Sequence, residues 1–161
     1  MEVGNILFIL LFYLTVLPLS TLLHEVGHGL GVIATFRSRV DIYLGSKSEK
    51  NIENFRLGRL HFHIVYSFAG FVYWEGNLNK RQRAAALAGG PVMSLTLVFV
   101  FAGMAMSVSH GDFRSFFWGA SIANLIQFVS TVIPVTYPRW MGSYAGHKSD
   151  GLQLWQLLKN K

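Results

Sequence analysis

The chain has 161 residues, 52% of them hydrophobic and 14% charged, with a formal net charge of +6 and no cysteine. Soluble domains carry about 25% charged residues, so this composition argues against a soluble enzyme or a disordered chain. The lack of cysteine excludes a disulfide framework, thiolate catalysis and cysteine-type zinc sites.

Charge is unevenly placed. No Lys, Arg, Asp or Glu occurs in Val3–Leu23, Ala84–Gly111 or Ser115–Pro138, and runs of ~20 apolar residues are what a bilayer core of about 30 Å requires. The first apolar segment spans about 5–36. It follows Met-Glu-Val-Gly-Asn, without a positive leader or a small-residue cleavage site, and therefore reads as a mature membrane helix rather than a signal peptide. At ~1.5 Å per residue it is longer than a simple span. Residues 5–23 are expected to cross most of the bilayer and 24–36 to emerge, with a bend at Pro18.

Residues 37–79 read as a β insertion. Val40–Gly45 and Leu60–Tyr66 alternate apolar and polar residues and are rich in β-branched and aromatic types, which predicts a small antiparallel sheet. Ser46–Asn54 is read as a connection, and 68–79, with Gly70, Gly76, Asn77 and Asn79, as loop. The second membrane segment, about 83–108, opens with the small residues Ala84, Ala85, Ala86, Ala88, Gly89 and Gly90, which let helices approach closely. Pro91 is a candidate kink. The third, about 115–134, carries Ser121, Asn124, Gln127 and Thr131 on one stripe. Amides in a bilayer are costly unless they meet partners, so this stripe is expected to face inward. A short helix follows the Pro138–Gly142 loop, with Ser149 or Asp150 as its cap. The fold class expected is thus a mainly α membrane protein, one domain over 1–161, with three transmembrane helices, a β insertion and a short C-terminal helix.

Nine basic residues and four acidic ones lie between Arg37 and Arg83, whereas His110–Arg114 holds one of each sign. Excess Lys and Arg mark the cytoplasmic side. The expected topology is a multi-pass cell-membrane protein with its N-terminus outside, and the β insertion and C-terminus cytoplasmic. The basic excess is read as topology, and nucleic-acid binding is not expected because no aromatic-basic motif accompanies it.

The chemistry is concentrated in His24-Glu25-Val26-Gly27-His28. Histidines at i and i+4 share a helix face and reach one metal ion, and the adjacent Glu is placed to take a proton from water that the ion activates. The bland alternative is a polar helix end. The apolar flanks Leu22, Leu23, Val26 and Leu30 weigh against it, since ionisable groups in such surroundings are functional by default. Hydrolytic zinc needs a third protein ligand. Asp150 is the best candidate by its side of the membrane and by charge, because Zn²⁺ with ionised Glu25 and Asp150 sums to zero. From spacing alone an ordinary helix cap is as good a reading of Asp150. Among the other histidines, His61 and His63 share a strand face and read as its polar side. His110 reads as a loop residue, as does His147, although His147 lies near Asp150.

His24–His28, then Gly89-Gly90-Pro91 opening a later helix, then Asp150-Gly151, resembles the site-2 protease family of intramembrane zinc metalloproteases over roughly residues 20–152. The resemblance implies one zinc per chain held by His24, His28 and Asp150, and Glu25 as catalytic base. It also implies a membrane-anchored protein or peptide substrate. The chain departs from the family at Ser94, where Asn is common, and at Lys148-Ser149 before the Asp. The chain reads as a minimal core of that family, without an appended regulatory domain. Asn124 is expected to bind substrate or to support the ligand helix. A catalytically silent zinc-containing membrane scaffold is the alternative, disfavoured because a scaffold has no use for the base. A haem or metal-transport role is disfavoured because the later apolar runs lack histidine.

Overall fold

A computed structural model describes residues 3–159. It is mainly helical, with helices α1 (Val3–Thr35), α2 (Lys80–Ser107), α3 (Asp112–Val132) and α4 (Asp150–Lys159). A four-stranded sheet lies between α1 and α2, made of β1 (Val40–Leu44), β2 (Phe55–Leu57), β3 (Leu60–Ile64) and β4 (Gly70–Trp74). A 3-10 turn, Arg139–Tyr144, precedes α4.

Three helices are long and apolar enough to cross a membrane: α1 from Ile9, α2 and α3. Their outer faces leave Val92, Phe99, Met106, Ile122 and Ile126 exposed, a patchwork that water does not favour. α2 begins with a reciprocal cap, in which the Asn79 side chain accepts from the Gln82 N–H and the Gln82 side chain accepts from the Asn79 N–H.

α1 and α2 touch at close quarters because the contacting residues are small. A Cβ at Gly27 would collide with the Gly89 carbonyl and one at Gly31 with the Ala85 carbonyl. The small-residue pair 27 and 31 is therefore spent on α2 of the same chain. The inward stripe of α3 meets its expectation at two positions. Ser121 donates to the Val98 carbonyl at 3.0 Å, and Asn124 donates to Ser20 Oγ at 3.0 Å. Pro18 lacks the N–H that would bond the Leu14 carbonyl, and Tyr66 Oη donates to that carbonyl at 2.9 Å, which ties the loop after β3 to the middle of α1.

The sheet differs from the all-antiparallel expectation. Its order is β2-β3-β1-β4, with β1 parallel to β3 and antiparallel to β4. The 45–59 segment supplies the long return that a parallel pair needs and itself contributes β2, paired with β3 around Gly58. The stretch 68–79 is not all loop, since β4 lies within it. The core joins Val32 of α1 and Ala86 of α2 to Val40, Ile42, Leu60 and Phe62. On the opposite face His63 Nε2 is 3.0 Å from Asp41 Oδ1, and His61 Nδ1 is 2.9 Å from Glu53 Oε2. Those two histidines thus meet carboxylates on the polar side of the sheet.

Candidate metal centre

The helical turn from His24 to His28 sets the two imidazoles edge to face on one side of α1, where α2 crosses. Their Nε2 atoms are 3.1 Å apart. Asp150 Oδ2 lies 3.2 Å from Nε2 of His24 and 3.4 Å from Nε2 of His28. Tetrahedral zinc with bonds of about 2.0–2.1 Å sets its ligand atoms about 3.3–3.4 Å apart, so the triangle has the size of a three-ligand zinc face. Among the described residues this is the one cluster of three His, Cys, Asp or Glu side chains able to share an ion.

Each ligand is held from behind. His28 Nδ1 donates to the Ala86 carbonyl at 2.7 Å, which leaves the Nε2 lone pair aimed at the triangle. His24 Nδ1 lies 2.8 Å from Ser94 Oγ, and Ser94 is fully buried. Such partners fix ring orientation and raise ligand basicity. Gly90 leaves the space in front of the rings, since any Cβ there would strike both Nε2 atoms. Asp150 opens α4, whose cap is Ser149: its Oγ accepts from the Leu152 N–H at 3.1 Å and donates to the Ile133 carbonyl at 2.7 Å. Gly151 is required because a Cβ would run into the Val132 carbonyl at the end of α3. Burial pushes the Asp150 carboxyl up, but the hydrogen bonds and charges of His24 and His28 outweigh it and hold it below the usual carboxylate range. The donor set, two neutral-capable imidazoles and one carboxylate with the space before them kept clear, fits a divalent zinc ion.

Glu25 points the other way from the core, into a cleft of about 640 Å³ between α1, β4, α3 and the 137–150 segment. Its carboxylate has no hydrogen-bond partner among the described residues and packs on Gly70, where a Cβ would stand 2.6 Å from Glu25 Cγ. His147, Gln127 and Thr131 line the same cleft. Burial pushes the Tyr137 phenol, also in the lining, up to about 12. Asn124 does not line it. Its side chain is wholly buried between α1 and α3 and donates to Ser20 Oγ and the Ala120 carbonyl, so it braces the ligand helix four residues before His24. His110 is far from this set and lies 3.0 Å from Arg114.

Two site residues carried no usable signal in the sequence as functional groups. Ser94 was visible only as a departure from the family pattern, and Tyr144 stood in a loop. β4, one wall of the cleft, was hidden by its flanking glycines and asparagines. Comparison with protein-family models, curated proteins and solved structures finds no match for the chain.

Proposed function

We propose that the protein is a zinc-dependent endopeptidase of the site-2 protease type, acting on membrane-embedded or membrane-proximal segments of anchored substrates. The observation that carries this reading is the triangle of His24, His28 and Asp150 beside a carboxylate, Glu25, that faces the same cleft unpartnered. A silent scaffold would keep the triangle but gains nothing from a buried, unpaired Glu25. The basic residues of the sheet segment support a cytoplasmic placement for that side of the chain, with α1, α2 and α3 crossing the membrane and the N-terminus outside.

His24, His28 and Asp150 would hold the zinc, which would supply a Lewis acid for the scissile carbonyl and would lower the pKa of water toward ~7. Glu25 accepts the proton at its carboxylate as water adds to the carbonyl carbon, then delivers it to the leaving amine. The C–N bond breaks, and no covalent enzyme intermediate is needed. Ser94 and the Ala86 carbonyl keep the imidazoles oriented, while the apolar cleft walls limit water.

A peptide bond inside a helix is shielded, so the substrate must be extended locally. β1 and β3 are both interior strands; the free edges belong to β2 and β4. The Ala69 carbonyl accepts from Gly45, just after β1, so by alternation the amides of Val72 and Trp74 point off the free edge of β4, while the Gly70 N–H on that edge is already taken by the Tyr144 hydroxyl. That edge runs along the cleft and suits an added substrate strand.

The test is Glu25→Gln in liposomes with a tagged membrane peptide. Cleavage should fall roughly 10²–10⁴-fold while zinc stays at one per chain, and Asp150→Ala should lose the zinc. Undiminished cleavage by Glu25→Gln would remove that residue from the mechanism.

A further inference from the structure

Tyr144 ends the 3-10 turn and lines the cleft. Its hydroxyl oxygen accepts the Gly70 backbone N–H at 2.8 Å. Its ring packs on Phe71 and Tyr137, with centroids 5.6 and 5.8 Å away. Gly70 is also the residue against which Glu25 rests: a Cβ there would stand 3.2 Å from Glu25 Oε1. One backbone residue therefore separates the Tyr144 hydroxyl from the proposed base, and both groups face the same space.

The oxygen is fixed, and the proton is unspent. No acceptor for the Tyr144 O–H exists among the described residues. The neighbouring polar groups differ. Tyr137 gives its proton to the Ser130 carbonyl at 3.3 Å, and Lys148 Nζ donates to Gln156 at 2.9 Å. Burial, with the Glu25 charge nearby, pushes the Tyr144 phenol well above its ordinary value, so it keeps its proton.

We infer that Tyr144 is a catalytic hydrogen-bond donor, giving its phenolic O–H to the oxygen of the scissile carbonyl as negative charge develops there. The inference rests on the peptidase reading and names a residue that reading does not use. No proton is transferred, so the phenol is unchanged at the end of the cycle. A donor already fixed by the backbone costs no reorganisation when charge appears, which is the condition for oxyanion stabilisation. The Gly70 N–H, donating into the same oxygen, polarises the O–H further.

The experiment uses the full zinc-loaded chain in liposomes and a tagged membrane peptide. Tyr144→Phe keeps the ring contacts and removes the hydroxyl. Its kcat should fall about 10²–10³-fold, with KM and zinc content unchanged. Affinity for a peptide phosphinate, whose tetrahedral anion mimics the developing charge, should fall by the same factor. In the Glu25→Gln background, affinity for the uncleaved peptide should not change when Tyr144→Phe is added. A residue that only clips the turn to β4 would instead raise KM or lower the melting temperature and leave kcat alone, and that result overturns the role.

If Tyr144→Phe fails to fold or to load zinc, 3,5-difluorotyrosine at 144 keeps the contacts and acidifies the phenol. The alkaline limb of the kcat profile should then move to lower pH. A phenolate still accepts from Gly70 but has no proton to give, so an unmoved limb refutes the donor. A wild type that loads zinc and cleaves nothing refutes the peptidase reading and this role together. Wild-type cleavage matched by Tyr144→Phe refutes the role alone.

Discussion

Ser94→Ala isolates the outer support of one ligand of the proposed zinc site. Ser94 Oγ lies 2.8 Å from His24 Nδ1, and the serine is 0% exposed, so no water replaces the hydroxyl at once. Leaving a buried ring nitrogen unpaired costs about 1–3 kcal/mol. At ~1.4 kcal/mol per tenfold, that is roughly 5- to 140-fold in zinc affinity, overlapping the ~10–100-fold found when outer partners of metal ligands are removed. The assay is a zinc titration of purified protein against a competing chelator, with the melting temperature of the metal-free protein followed in parallel. Ser121→Ala is the matched control: it removes a similar buried hydroxyl between α2 and α3, bonded to the Val98 carbonyl at 3.0 Å, and touches no ligand. Ser94→Ala should weaken zinc and Ser121→Ala should not. Equal zinc affinity in Ser94→Ala and wild type, with both folded, would refute the idea that His24 binds through Nε2 while its Nδ1 is held from α2.

Two further outcomes follow from the fold. Gly27→Ala should overpack the α1–α2 crossing, because its methyl meets the Gly89 carbonyl; a loss of about 1–3 kcal/mol, seen as earlier thermal unfolding in detergent, is expected together with weaker zinc binding. Asp41→Asn tests the polar face of the sheet. Burial pushes the Asp41 carboxyl up, but hydrogen bonds from Arg39 and His63 outweigh it and hold it below the usual range. A depressed folded value stabilises the protein above the unfolded pKa of ~3.9 and ceases to do so as pH falls through the folded value. Asp41→Asn should therefore cost about 1 kcal/mol near neutral pH and approach wild-type stability in acid, measured as melting temperature against pH.

What the sequence disclosed was what lies within a helical turn or an apolar run. His24 and His28 are four apart, so helical periodicity alone puts them on one face, and the charge-free runs outline the three long helices. Asp150 was reachable through charge balance and a family likeness, and its distances to both imidazoles give that choice a geometric footing. Ser94 was not reachable, because a hydroxyl in an apolar helix acquires its role only from a ring 70 residues away in the chain. The pairing of β1 with β3 was missed for a similar reason. Adjacent alternating segments suggest a hairpin, whereas the actual return carries β2 to the outside of the sheet. β4 was missed because Phe71-Val72-Tyr73-Trp74 has no alternation; a strand walling an apolar cleft needs none.

The segment between α3 and α4 has a closed neck. Ser149 N–H donates to the Val135 carbonyl at 2.9 Å, its hydroxyl reaches Ile133, and Thr136 bridges Lys148. The loop above that neck carries Tyr137, Tyr144 and His147 and turns at Gly142 and Gly146, both with positive φ. Its close ends and its own ring contacts make it a compact loop of the Ω type. The loop lies against β4 through the Tyr144–Gly70 hydrogen bond, whereas Asp150 follows the neck directly, one residue after Ser149. The loop residues that wall the cleft and the carboxylate that faces the two histidines thus lie on opposite sides of one neck.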